Sequence, residues 1–132
     1  MEFDSKRPIY LQIMEAIKTP VLRGELALGS SLLSVREQAK KMGVNHNTMA
    51  RAYTELEREG FIVTRRGLSA TLTTDCDLIQ EQRKQLLDAI VSKFKNEIES
   101  IALTDDEIAT LVVDITDILR REYPPTKIGK NI

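Results

Sequence analysis

Residues 34–61, SVREQAKKMGVNHNTMARAYTELEREGF, decide the fold of this chain, because they predict two helices joined by a tight turn. Ser34 and Glu37 have the spacing of a capping box, in which the serine oxygen accepts from the amide three residues on and the glutamate reaches back. Gly43 is suited to ending this first helix, since glycine adopts the left-handed conformation that follows many helices. Asn45 is a favourable N-cap for the helix that follows.

The second of these helices, about residues 45–59, has one apolar and one polar face. The apolar face has helical spacing and consists of Met49, Ala52, Tyr53 and Leu56. The polar face and first turn present His46, Asn47, Thr48 and Arg51 to solvent. A helix, a glycine turn and a helix with a polar start are typical of a helix-turn-helix, whose second helix enters the major groove of DNA. We therefore predict DNA binding.

A β-hairpin is predicted directly after this unit. Residues 61–63 are rich in strand-forming side chains, residues 69–73 can form the partner strand, and Arg65, Arg66 and Gly67 lie in the turn between them. A hairpin in this position is a wing. Arginines at its tip are suited to the DNA backbone or to a narrow minor groove, where the negative potential is enhanced.

The chain before residue 34 contains one predicted helix, residues 7–23, followed by a glycine-punctuated connector. Pro8 suits the first helical position, where its missing N–H has no partner to lose. Pro20 lies inside the helix, where it removes a hydrogen bond and clashes with the preceding turn, so we expect a kink or a break near residues 17–19.

Two further amphipathic helices are predicted beyond residue 74. The first, 75–103, has a seam with near-heptad spacing, Leu87, Val91, Phe94, Ile98 and Ile101. The second begins at a capping box, Thr104 to Glu107, and has an apolar stripe that includes Leu111, Ile115 and Ile118. Tyr123–Pro125 should end this helix, and 126–132 should form a flexible tail. Two helices cannot bury stripes of this width against each other, so we expect the pair to form a homodimer.

Composition and charge fit this interpretation. The 132 residues are 42% hydrophobic and 30% charged, as in globular proteins. The net charge of −1 is uneven: residues 1–73 carry 11 Lys and Arg against 8 Asp and Glu, and residues 74–132 carry 8 against 12. The basic excess therefore accompanies the predicted DNA-binding part. With one cysteine, Cys76, and no signal peptide or membrane-spanning segment, we expect a cytoplasmic protein, at the nucleoid when bound to DNA.

The first 73 residues resemble the winged-helix domain of the GntR family of bacterial transcription regulators. The matching segments are Pro8-Ile9-Tyr10-Leu11-Gln12-Ile13, Gly24-Glu25-Leu26, Leu33-Ser34-Val35-Arg36, Gly43-Val44, Thr48-Met49, Ala52-Tyr53, Leu56-Glu57, Glu59-Gly60-Phe61-Ile62 and Arg65-Arg66-Gly67. The departures are Leu28 for a proline, Leu33 for the proline of Leu-Pro-Ser, and Ser69 for the second wing glycine. The helical tail is similar to that of the YtrA-like branch of the family.

The resemblance implies DNA contacts at the start of the helix that Ser34 begins. The residues themselves suggest contacts in the first turns of the helix at about 45–59 and in the wing. The predicted DNA-contacting residues are Ser34, Arg36, Asn45, His46, Asn47, Thr48, Arg51, Arg65, Arg66 and Gly67. Arg51 has an equally weighted alternative, an ion pair with Glu55 four residues on. His46 as a metal ligand is disfavoured because no other histidine or cysteine lies nearby.

We accordingly predict a mainly helical fold with a small β-hairpin wing: a winged helix-turn-helix (1–74), a two-helix dimerisation hairpin (75–125) and a tail (126–132). The expected function is sequence-specific regulation of transcription, as a homodimeric repressor on a palindromic operator in double-stranded DNA. One alternative is a sensor whose helical tail holds a small-molecule effector; another is a winged helix that binds protein only. No catalytic constellation, metal site or cofactor motif is present in the sequence, so an enzyme is not expected.

Overall fold

The structure, a computed structural model, describes residues 2–122 and contains five helices and one two-stranded antiparallel sheet in that range. The elements in chain order are α1 (Ile9–Leu22), α2 (Val35–Met42), α3 (His46–Arg58), β1 (Ile62–Val63), β2 (Thr71–Leu72), α4 (Cys76–Glu99) and α5 (Asp105–Glu122). The predicted mainly helical fold with a small hairpin is confirmed. The predicted helix end at Tyr123–Pro125 and the tail 126–132 lie outside the described residues.

The predicted turn between α2 and α3 is confirmed. Ser34 Oγ accepts from the Glu37 amide at 3.1 Å, and the Ser34 hydroxyl donates to the Glu37 carboxylate at 2.9 Å. Gly43 ends α2 with φ 67°, and the Val44 amide donates to the Ala39 carbonyl at 3.0 Å. Asn45 then caps α3 by accepting from the Asn47 amide at 2.8 Å. Local chemistry therefore fixes the angle between these helices.

Of the predicted kink or break in α1, the break is wrong. The helix is continuous through Pro20 to Leu22, and Gly24, which has φ 77°, follows its C-cap. Pro20 lies in the last turn, where its missing N–H costs one hydrogen bond. Val21 and Leu22, which follow it, are buried in the core. Their burial holds the final turn in place.

The core lies where α1 and α3 cross, with α2 packed on α3 and the sheet closing one end. Its fully buried side chains include Ile13, Met49, Leu56 and Phe61. In the wing, Ile62 pairs with Leu72 and Val63 with Thr71, and each strand is shorter than predicted. The segment before α2 adds a bridge from Ser31 to Thr71.

The first turns of α4 belong to this core. Asp75 caps α4 by accepting from the amides of Asp77 and Leu78 at 3.1 and 3.2 Å. Ile79, one turn later, is 0% exposed and part of the core cluster. Arg83 donates from its guanidinium to the Leu22 carbonyl at the end of α1. These contacts pack the first turns of α4 against the winged domain.

The two tail helices do not pack closely against each other. α4 ends at Glu99, four residues before the predicted end, and a turn with Ala102 at φ 48° leads to α5. The predicted capping box is present, since the Glu107 amide donates to Thr104 Oγ at 3.2 Å and the Thr104 amide donates to the Glu107 carboxylate at 3.1 Å. The Cα atoms of the two helices stay more than 8 Å apart. Much of the apolar surface of both helices is consequently exposed within the described protomer.

Candidate nucleic-acid interface

The solvent-facing side of α3 is a polar strip. Its residues recur every three or four positions and are all exposed: Asn47, Arg51, Thr54 and Arg58. We call this strip the outer face of α3. The opposite side is buried against α1 and α2, so the helix is held rigidly while the outer face stays free. His46 and Asn47 occupy the first turn, and Thr48 beside them is half-buried.

The start of α2 and the wing border one flank of the outer face. Ser34, Ala50, Thr54 and Leu68 share a cleft of about 330 Å³, which brings the α2 N-cap, the middle of α3 and the wing together. Arg36 lies in the exposed first turn of α2. A ligand lying along α3 could therefore meet the α2 N-terminus and the wing at the same time.

The wing tip is a turn that presents two arginines. The Leu68 amide donates to the Arg65 carbonyl at 2.9 Å, and Gly67 has φ 76° with open space around its Cα. Arg65 and Arg66 are exposed. Leu68 is 67% exposed at the same tip, an apolar side chain that the sequence analysis did not single out. Its place in the sequence, two residues after Arg66 in the predicted turn, indicates that Leu68 lies at the wing tip.

Four predicted contact arginines, Arg36, Arg51, Arg65 and Arg66, take part in no ion pair between residues 2 and 122. The other three arginines of the first 73 residues are all paired: Arg7 with Glu15, Arg23 with Glu25 and Arg58 with Glu55. Unpaired guanidinium groups on one region of a surface provide the charge that phosphates require. Among residues 2–122, no cluster of three or more metal-ligating side chains occurs.

The alternative role predicted for Arg51, an ion pair with Glu55, is wrong. The Glu55 carboxylate accepts from Arg58, with Nε at 3.0 Å and a second guanidinium nitrogen also in contact. A pair with the glutamate nearer the helix N-terminus is the more favourable orientation, which explains why Glu55 selects Arg58. The Arg51 guanidinium instead lies over the ring of Tyr10, with its central carbon 3.8 Å from the ring centroid.

Tyr53 joins α3 to the segment that leads into α2. Its hydroxyl donates to the Leu33 carbonyl at 2.6 Å, and its ring is buried. Burial, and secondarily the Glu37 carboxylate, raise the pKa of Tyr53 to about 12. The predicted packing role of Tyr53 is confirmed. Tyr10 packs partly on the core and also contacts Arg51.

A two-helix turn with a free outer face, followed by an arginine-tipped hairpin, defines a winged helix-turn-helix protein. The sequence pattern of the bacterial regulatory proteins of the gntR family matches residues 9–72. The chain is 34% identical over 116 residues to the uncharacterised transcriptional regulator YhcF of Bacillus subtilis, covering 88% of this chain and 96% of YhcF. The protein therefore belongs to the GntR family and is a DNA-binding transcriptional regulator.

Two further comparisons extend this result. The transcriptional repressor YtrA of Bacillus subtilis is 40% identical over 92 residues, which span 63% of this chain and 71% of YtrA. The fold also matches a GntR family transcriptional regulator from Listeria monocytogenes with a TM-score of 0.76 and 36% identity. That match covers 85% of this chain and 98% of the Listeria protein, so it includes helices beyond the winged domain. Within residues 2–122, no helix is both long and apolar enough to cross a membrane.

Proposed function

We propose that this regulator is a homodimeric repressor that binds a palindromic operator in double-stranded DNA. The observation that carries the proposal is a group of arginines around the outer face of α3, on α2, α3 and the wing, that have no carboxylate partner within residues 2–122. Repression rests on the similarity to YtrA, which is named a repressor. Its place of action would be the bacterial cytoplasm, at the nucleoid.

In the proposed complex, the first turn of α3 enters the major groove. Asn45, His46, Asn47 and Thr48 lie at this turn, where amide and imidazole groups can bond to base edges and Thr48 can contact a phosphate or a thymine methyl. Ser34 and Arg36 would contact the backbone from the start of α2. Arg65, Arg66 and Gly67 would follow the backbone or the adjacent minor groove.

The exposed apolar side chains of α4 and α5 support the proposed homodimer. Leu87, Val91, Phe94, Ile101 and Ile118 are each at least 40% exposed, and Ile98, Leu111 and Ile115 are half-buried. Monomeric proteins rarely expose apolar patches of this extent. The same face on a second copy would cover it, and a two-fold dimer would present two α3 helices to two half-sites.

The test of DNA recognition begins with selection of bound sequences from a random DNA pool by the full-length protein. Arg36→Ala and Arg65→Ala should then weaken binding to every selected site and each lower the slope of log affinity against log salt by about 1. Arg23→Ala is the matched control: Arg23 is also exposed, but it pairs with Glu25 at the far end of α1. Failure of the wild-type protein to enrich any sequence at low salt would exclude the proposal.

The test of the dimer uses Phe94→Asp, which places a charge in the predicted seam. In analytical ultracentrifugation the variant should sediment as a monomer and the wild type as a dimer, because an unpaired carboxylate is costly to bury in the dimer interface. Affinity should fall on DNA with two half-sites and stay unchanged on DNA with one. Wild-type binding that is equally tight on one and on two half-sites would contradict cooperative binding by a dimer.

We infer an effector-responsive sensor as a second candidate. Its support is a gap of about 470 Å³ between α4 and α5, a volume in the range of small-molecule pockets. Apolar Phe94, Ile98 and Leu111 line it together with three acidic residues, Asp106, Glu107 and Asp114. This lining suits a small organic cation that carries apolar groups beside its positive charge. A cationic metabolite that raises the melting temperature of the wild type but not of Asp114→Asn would support this role, and a screen without any such compound would count against it.

A further inference from the structure

Arg51 occupies the centre of the outer face of α3. It lies one turn after Asn47 and three residues before Thr54, and all three side chains are exposed. An arginine in this position is normally mobile, and ordering it on a ligand costs conformational entropy. In this protein the guanidinium is already placed, because its central carbon lies 3.8 Å from the centroid of the Tyr10 ring.

The local charges leave this stacked position undisturbed. Glu55, one turn after Arg51, accepts from two nitrogens of Arg58. Arg51 therefore has no carboxylate partner among residues 2–122. Stacking covers one face of the guanidinium and leaves the N–H donors at its edge pointing outward in a plane. An edge of this kind matches a planar, two-point acceptor.

The tyrosine platform is itself fixed. Tyr10 is the second residue of α1 and packs partly on the core. The segment before it is held by buried Gln12, whose amide donates to the carbonyls of Asp4 and Arg7 at 2.7 and 3.0 Å and accepts from the Asp4 amide at 2.8 Å. Pro8, Tyr10, Asn47 and Arg51 border one cleft of about 370 Å³. The start of α1 and the first turns of α3 therefore form one surface.

We propose that Tyr10 is a positioning residue for sequence recognition, holding the Arg51 guanidinium so that its edge reads a guanine in the major groove. Guanine presents O6 and N7 as neighbouring acceptors, which a planar guanidinium can contact with two parallel hydrogen bonds. The inference rests on the proposed placement of α3 in the major groove. It assigns Tyr10 to the recognition apparatus although the residue belongs to α1.

The experiment measures binding of full-length variants to a site selected by the wild type and to the same site changed at single base pairs of one half-site. Arg51→Ala should lose about 5- to 150-fold of discrimination at one guanine and little at other positions. Tyr10→Leu should lose about 2- to 5-fold at the same base pair, because it removes the aromatic face. Tyr10→Phe keeps that face and should retain wild-type discrimination. The double variant Tyr10→Leu/Arg51→Ala should discriminate no worse than Arg51→Ala.

Melting curves of each variant keep loss of folding separate from loss of recognition, and binding is measured well below every melting temperature. Wild-type base preference in Tyr10→Leu, or additive losses in the double variant, would overturn the positioning role. Equal weakening by Arg51→Ala on all single-base variants would overturn guanine reading, since a phosphate contact carries no base preference. Failure of the wild type to select any sequence would instead remove the proposed function on which this inference rests.

Discussion

Replacing Ile79 by alanine tests whether the start of α4 is part of the winged domain's core. Ile79 is 0% exposed and lies in the same buried cluster as Ile13, Leu56 and Phe61. The change removes three buried carbons, worth about 0.8 kcal/mol each by transfer, and leaves a cavity that adds to the loss. Alanine's higher helix propensity returns only about 0.4 kcal/mol. We expect the free energy of unfolding to fall by about 2–4 kcal/mol.

Ile9→Ala is the matched control, because it makes the same chemical change in a helix where the side chain is 45% exposed. Its expected cost is below about 1 kcal/mol, since only part of the transfer energy is lost. Urea unfolding of both variants and the wild type at one fixed protein concentration gives the comparison, with the concentration held constant because dimer formation shifts the midpoint. A loss below about 1 kcal/mol for Ile79→Ala, or equal losses for the two variants, would refute the assignment of α4 to the core.

Three further predictions concern the turn, the buried tyrosine and the operator. Gly43→Ala should cost about 1–2 kcal/mol in urea unfolding, because φ is 67° and nothing lies within 4 Å to add a clash. The stability advantage of the wild type over Tyr53→Phe should be constant below pH 10 and should shrink by about 1–2 kcal/mol between pH 10 and 12. The reason is that the phenol ionises at a lower pH in the unfolded chain than in the folded one, where its pKa is about 12. Urea unfolding of both proteins at pH 9 and pH 11.5 measures this difference. Inserting about five base pairs between half-sites should reduce affinity to that of a single half-site in a gel shift, because it turns one site to the opposite side of the helix.

The elements that the sequence predicted well are those fixed by nearby residues. Ser34, Gly43 and Asn45 act through hydrogen bonds and backbone conformations that span only a few positions, so their types and spacing define the helix ends. The helix does not break at Pro20 because the local cost of the proline is outweighed by burial of Val21 and Leu22, which depends on contacts with distant parts of the chain. Tertiary packing overrides local propensity at such positions.

The candidate site divides in the same way. The exposed positions of Asn47 and Arg51 follow from helical spacing, whereas the partner of Arg51 does not. By spacing alone, Glu55 could pair with either Arg51 or Arg58. Arg58 is favoured because helical ion pairs are more stable when the acidic residue lies nearer the helix N-terminus. The contact with Tyr10 joins residues 41 positions apart in sequence, and it depends on how α1 crosses α3. A contact between side chains of two different helices has no local sequence signal.

The attachment of α4 bears on how two copies would recognise DNA. If a flexible linker joined the winged domain to the dimerisation helices, dimer formation would raise the local concentration of the second domain without fixing half-site spacing. Here Ile79 is buried in the core and Arg83 bonds to the end of α1, so α4 leaves the winged domain in one direction. In a homodimer formed through α4 and α5, the distance between the two α3 helices would then be set by rigid packing. The residues that fix operator spacing are therefore expected at the α1–α4 contact, outside the first turn of α3 that is proposed to contact bases.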